Sequence, residues 1–359
     1  MPTKVVAFVL SVLSFFAVWN MNGQPNSIPE TREYIGEVPD KYGVWPAEEF
    51  EKGEKPWWLS VRLVEWGIAL KEAFGGKTRM NSLLVLHRGK LVHEAYYGPQ
   101  DSGWPADSPH HVQSITKGVL AALVGIAIEE GLIEGVDQKV IDFFPEAVIA
   151  PGQESKRDIT IEHLLTHTSG LPGDGEAMLA WWRGDDGYWY GEDGDPGDLG
   201  IAAFELPQTG TPGKKHNYSR IGAYVLACAL SRRAGMSVYE YAQEKLFEPT
   251  GITSARWDTY YDGSCIGGYG LFLTPRDMAR FGYLYLNYGH WDDRQVVPAQ
   301  WVARTPPRSK SILAYGYMVR NNPLLPLGSS YEFTGLYGQL ISVIPAFDLV
   351  VVRTGSKIV

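Results

Sequence analysis

Residues 113–132 read "QSITKGVLAALVGIAIEEGL". From Val119 to Ile128 the stretch is rich in Ala, Leu, Val and Ile, the composition of a buried helix. Yet its first turn holds a hydroxyl, Ser114, and an amine, Lys117. Residues three apart share a helix face, so both side chains can enter one space. Unpaired N–H groups and the positive end of the helix dipole lie at that end, and they stabilise an alkoxide or oxyanion formed on Ser114. A lysine drawn into an apolar site loses proton affinity, because burial disfavours its charged form. The pair then reads as a general base beside a nucleophile. The spacing S-x-x-K is common by chance, and the bland reading is a helix N-terminus with a surface lysine. The rest of the chain decides between them.

Working outward, "SLLVLHRGKLVHEAYYG" (82–98) reads as two strands around a tight turn at Arg88-Gly89. At the far end "GQLISVIPAFDLVVVRTG" (338–355) is a second hairpin, turning at Pro345 to Asp348. Helical patterns dominate between them, and "LSVRLVEWGIALKEAFGG" (59–76) reads as one more helix ending at a Gly pair. This order predicts an α+β fold. The N- and C-terminal hairpins form one antiparallel sheet, helices flank it, and a helical region is inserted in the middle.

The 359 residues are 45% hydrophobic, enough for a large core. The net charge is −9 and no run of Lys or Arg is present, which argues against a nucleic-acid partner. Lys4 precedes an apolar run from Val5 to Trp19, shorter than the roughly 20 residues of a membrane span. Residues 1–23 are therefore expected to be a signal peptide or an N-terminal anchor. The expected location is secreted or periplasmic, with membrane attachment through this segment alone. Residues 24–58, Pro-rich and polar, form an extended lead-in, and 59–359 form the main domain. The two cysteines, Cys228 and Cys265, supply neither a disulfide framework nor a zinc site.

Other chemistries find little support. No G-x-S-x-G is present, and "HEAYY" at 93 lacks the second His of a zincin. "HLLTH" sets His163 and His167 four apart with no Glu between them, a pattern better read as a capped helix end than as a metal site. His110 and His111 read as loop residues near Ser114. No metal is expected. Three aspartates, Asp193, Asp195 and Asp198, do not have the spacing of an EF-hand loop. They belong to "WWRGDDGYWYGEDGDPGDLG" (181–200), whose aromatics, Trp182 and Tyr188 among them, fit a substrate-binding loop or a surface loop.

Two later pieces complete a set. "KKHNYSRIGAYVL" (214–226) places Tyr218 just before a helix, and a tyrosine can relay a proton when a neighbouring cation lowers its pKa. "EFTGLYGQ" (332–339) is a glycine-containing strand entry, where a substrate or another backbone can approach closely.

S-x-x-K, then Tyr, then x-T-G, in that order, resembles the serine β-lactamase and penicillin-binding-protein superfamily. The flanking text is more specific. "ITIEHLLTHTSGLP" (159–172) and "GGYGLFLTPRDMARFGYLYLNYGHWDDRQVVPAQWV" (267–302) resemble class C-like members. These include family VIII carboxylesterases, D-aminopeptidases and 6-aminohexanoate-dimer hydrolases. The resemblance implies a β-lactamase/transpeptidase-like fold and a serine hydrolase without a cofactor. It makes Ser114 the acylated nucleophile and Lys117 its base, in concert with Tyr218. The N–H groups of Ser114 and Leu336 form the oxyanion hole. Arg220, Phe333, Thr334, Gly335, Trp182 and Tyr188 are the implied substrate contacts.

Three departures matter. Arg220 stands where the second box usually has Asn, and Phe333 where the third has Lys or His. "RTG" at 353–355 looks more like K-T-G but lies at the end of the last strand. Finally, relatives continue past the position of Val359 into a closing helix, which leaves the helix at 59–76 to cover that face or the chain cut short. Because Phe333 cannot hold a carboxylate, the implied substrates are small-molecule esters or small amides. The alternatives are a β-lactamase or D,D-peptidase acting on cell-wall peptides, and a catalytically weak binding or sensor protein that keeps the fold.

Overall fold

A computed structural model describes residues 49–56, 78–97, 105–174, 199–260, 263–307, 315–321 and 330–357. The expected leader (1–23), most of the expected lead-in, the expected helix at 59–76, and the segment holding Trp182, Tyr188 and the three aspartates lie outside the described residues. In chain order the strands are β1 (Thr78–His87), β2 (Lys90–Tyr96), β3 (His110–His111), β4 (Arg256–Trp257), β5 (Leu271–Leu273), β6 (His290–Trp291), β7 (Arg294–Gln295), β8 (Arg320–Asn321), β9 (Tyr331–Gly335), β10 (Gln339–Ile344) and β11 (Leu349–Lys357). The helices are α1 (Ile115–Glu129), α2 (Ile161–Leu165), α3 (Leu199–Ala202), α4 (Arg220–Ala234), α5 (Val238–Ala242), α6 (Pro275–Leu286) and α7 (Ala299–Arg304).

The expected hairpins form where the turn residues allow. Arg88 (φ 51) and Gly89 (φ 75) are both left-handed, as a two-residue turn matched to strand twist requires. The second hairpin, β10–β11, closes over Pro345–Phe347, with Asp348 left-handed. The main sheet runs β2-β1-β11-β10-β9-β8, every neighbouring pair antiparallel. β1 lies directly against β11, so the two ends of the fold close one sheet around the helical insertion.

Both faces of that sheet are buried, which explains why its strands read as apolar runs rather than clean alternations. Leu84, Leu86, Ile341, Val350 and Val352 belong to the large core shared with α1 and α6. Leu83, Val85, Val92, Ile344, Leu349 and Val351 make a second cluster on the opposite face. Two glycines let the helices sit close. A Cβ on Gly118 of α1 would lie 2.2 Å from the Phe333 ring, and one on Gly282 of α6 would lie 2.5 Å from Val350.

Candidate active site

Ser114 stands at the first turn of α1. It occupies the N-cap position in a helical conformation (φ −67, ψ −5) and its side chain makes no capping bond, so the hydroxyl stays available. The turn before it is held firmly. Gln113 is left-handed (φ 55). Val112 N–H donates to the Leu271 carbonyl at 2.9 Å, and Leu271 N–H donates to Thr116 Oγ1 at 3.3 Å. The short pairing of β3 with β5 thus fixes where α1 begins.

Lys117 is 1% exposed. Its Nζ donates to Ser114 Oγ at 3.2 Å and to the Gly268 carbonyl at 2.6 Å. It also lies 4.8 Å from the centre of the Tyr218 ring. Burial pulls the amine down to about 7, with Arg220 acting in the same direction and Asp174 opposing. Tyr218 is hydrogen-bonded to Ser114, and its phenol moves the other way, up to about 12. Burial is the largest cause; the Ser114 bond, Arg220 and Arg320 lower it, and Asp174 raises it. The expectation that a neighbouring cation lowers Tyr218 is thus corrected, because desolvation outweighs the charges around it. At neutral pH the phenol keeps its proton, and the lysine is the group that titrates.

Arg220 does not face the site as a free cation. Its Nε pairs with Asp174 Oδ2 at 3.0 Å, and its backbone N–H donates to Asp174 Oδ1 at 2.8 Å. Asp174 was not singled out from sequence, since nothing in "LPGD" marks it as a partner of a residue 46 positions on.

The third box divides in two. Phe333, expected as a substrate contact, is fully buried. Its ring packs 5.2 Å from Phe281 and 5.0 Å from Tyr285, over Gly118. That expectation is corrected: strand alternation turns Phe333 into the helix-facing core. Thr334, the next residue, is half-buried. Gly335 serves the close approach of another backbone, since a Cβ there would lie 2.4 Å from the Val112 carbonyl oxygen and 2.9 Å from Gln113 Cβ. The end of β9 therefore lies against the turn that carries Ser114. Leu336 follows, 60% exposed, opening a short turn in which Tyr337 is left-handed (φ 61). "RTG" at 353–355 has a different task. Arg353 is buried and its Nη1 donates to the Gly338 carbonyl at 2.5 Å, so it braces that turn from β11.

The histidines resolve one by one. His163 caps α2, its Nδ1 accepting the Thr160 N–H at 3.2 Å. His111 stacks against Tyr269 at 6.2 Å, and its Nδ1 accepts the Gln113 N–H at 3.1 Å. His167, His216 and Tyr315 gather around Tyr218. Their proximity to Tyr218 was missed from sequence, where only the spacing of His163 and His167 stood out.

The geometry can support proton transfer from a hydroxyl to a buried amine, with a second, neutral hydroxyl alongside. Comparison with known proteins identifies the family and the fold. Residues 74–356 match the family model described as Beta-lactamase. Penicillin-binding protein 4* of Bacillus subtilis is 28% identical over 238 residues, 64% of this chain and 47% of its own length. The 6-aminohexanoate-dimer hydrolase of Paenarthrobacter ureafaciens is 27% identical over 264 residues, 72% of this chain and 62% of its own. The chain thus spans less than two thirds of the length of either relative. Among solved structures, the octameric penicillin-binding protein homologue from Pyrococcus abyssi shares the fold, with a TM-score of 0.62 at 21% identity, covering 82% of this chain and 72% of that one.

Proposed function

The chain belongs to the beta-lactamase family, and on that footing we propose that it is a serine hydrolase that cleaves esters or small amides through an acyl-enzyme on Ser114. One observation carries the reading: a buried lysine amine, with proton affinity near neutrality, donates to the Ser114 hydroxyl. When Lys117 is neutral its lone pair accepts the Oγ proton as Ser114 attacks the carbonyl carbon. The oxyanion settles between the N–H groups of Ser114 and Leu336. Tyr218 gives its proton to the leaving alkoxide or amine and regains one from Lys117. Water then attacks the acyl-enzyme, its proton passing to Lys117 and on to Ser114 Oγ, which frees the acid.

The preference for neutral substrates rests on the surroundings. Phe333 contributes no donor or charge, and Arg220 is tied to Asp174. Neither offers a ready partner for a substrate carboxylate, while the exposed Leu336 adds apolar surface at the rim. The competing reading is a β-lactamase or D,D-peptidase. A comparison of kcat/KM for p-nitrophenyl butyrate and for a chromogenic cephalosporin separates them. Preference for the ester supports the proposal; better turnover of the cephalosporin overturns it, and turnover of neither points to a binding protein.

A further inference from the structure

We propose that His167 is a positioning residue that holds the Tyr218 phenol against Ser114 and Lys117. The inference rests on the serine-hydrolase reading and adds a part to it.

His167 brackets Tyr218 from both sides. Its carbonyl accepts the Asn217 N–H at 2.7 Å, and its Nδ1 accepts the Ser219 N–H at 3.3 Å. These are the residues immediately before and after Tyr218. The imidazole ring itself lies 4.5 Å from the Tyr218 ring, tilted by 39°. Two hydrogen bonds and a ring contact from one residue therefore set the backbone and the face of the phenol together.

The backbone of His167 is left-handed, with φ 57, a region uncommon for side chains but one in which histidine, like Asn and Asp, is enriched. The ring is also locked from outside, with Tyr315 at 5.4 Å and His216 at 5.9 Å. His167 is 2% exposed, and its Nε2 has no hydrogen-bond partner among the described residues. Of its polar side-chain atoms, only the acceptor toward Ser219 is engaged.

That acceptor requires a neutral imidazole with its proton on Nε2. Burial lowers the proton affinity of His167 well below its ordinary value, and the nearby Lys117 and His216 act in the same direction. Among the described residues, the titratable groups facing the ring are thus Lys117, His216, Tyr218 and Tyr315, and none of these is a carboxylate that would favour the cation. His167 stays an acceptor through the pH range where Lys117 works as a base.

The test is a mutant cycle on the full chain. His167→Gly fits the left-handed backbone but removes ring and acceptor; His167→Asn tolerates that backbone and keeps a side-chain acceptor. With a p-nitrophenyl ester, His167→Gly should lower kcat by about 10- to 100-fold while KM stays within about twofold, the signature of a misplaced reacting group. His167→Asn should keep kcat within about tenfold, and added imidazole should restore part of the His167→Gly rate. In a Tyr218→Phe background, His167→Gly should cost little more, because the two act as a unit. Additive losses in that cycle overturn the proposal, as does a folded His167→Gly with wild-type kcat. If His167→Gly does not fold, His167→Asn decides: a folded protein with a larger loss than tenfold refutes the role, and one within it supports it. Labelling of wild-type Ser114 by a fluorophosphonate is run alongside. Failure there refutes the hydrolase reading itself, whereas labelling with an additive cycle refutes only His167.

Discussion

Gly335→Ala adds one methyl group at the seam between β9 and the turn that carries Ser114. The new Cβ would lie 2.4 Å from the Val112 carbonyl oxygen, whereas real Cβ atoms essentially never come within 3.0 Å of a neighbour. The backbones must therefore part by about 0.6 Å at the least, the difference between those two distances. Gln113 Cβ and Gln339 Cβ, at 2.9 and 3.0 Å, leave little room to turn aside. Gly335 itself has φ −131, so the substitution introduces no left-handed strain and the effect is steric. In the proposed oxyanion hole, one N–H belongs to Ser114 and the other to Leu336, on opposite sides of that seam. A misplacement of about 1 Å in such a constellation can cost on the order of 100-fold. We expect Gly335→Ala to fold, to keep KM for a p-nitrophenyl ester near the wild-type value, and to lose about 30- to 100-fold in kcat. Stopped-flow or steady-state ester kinetics, with circular dichroism to confirm folding, make the comparison. A folded variant whose kcat stays within about threefold of wild type would refute the reasoning, because the seam would then not control the hole.

The acid limb of kcat/KM should fall about tenfold per pH unit below about 7, since Lys117 must be neutral to accept the serine proton and burial pulls it down to about 7; a flat profile between pH 5 and 7 would exclude Lys117 as the base. The same shift links pH to stability: the unfolded lysine holds its proton to higher pH, so stability should rise as pH increases from about 7 toward 10.5, as urea midpoints would report. Phe333→Lys should destabilise the protein by at least about 3 kcal/mol rather than build a carboxylate site, since it deletes a fully buried ring and puts an unpaired charge in its place; a stable variant with improved cephalosporin turnover would contradict this. Lys156→Met should cost about 1–3 kcal/mol in urea unfolding, because the fully buried amine donates to the carbonyls of Phe204 and Leu206 and both would lose that partner; an unchanged midpoint would show that other donors replace it.

The fold was legible at its two ends because hairpins are local. Arg88-Gly89 supplies the turn, and β-rich runs flank it on either side. The pairing of β1 with β11 is not local, and one sheet joining the two ends was inferred from the order of elements, strands at both ends with helices between. The closeness of Ser114 and Lys117 was legible for the same reason as the hairpins, since residues three apart on one helix turn fix their own geometry. Phe333 was misread because a motif position says nothing about which face of the strand its side chain takes. Tyr218 was misread because the desolvation that raises its phenol depends on walls assembled from distant segments. Asp174 and His167 act on the 217–220 stretch from about 50 residues away, one through a carboxylate and the other through its carbonyl and imidazole on a left-handed backbone. Neither a long-range ion pair nor a positive φ leaves a periodic or compositional trace. Trp182 and Tyr188 belong to a segment outside the described residues, and their part in substrate binding stays a sequence-based expectation.

The central claim is that Ser114 is the nucleophile and that Lys117 makes it one. Intact mass after exposure to a fluorophosphonate, with the adduct mapped by peptide sequencing, tests it most directly. The account predicts a single stoichiometric adduct on Ser114 in the wild type, formed much more slowly in Lys117→Ala and absent in Ser114→Ala. An adduct on any other serine, or labelling of Ser114 at an unchanged rate in Lys117→Ala, would contradict it.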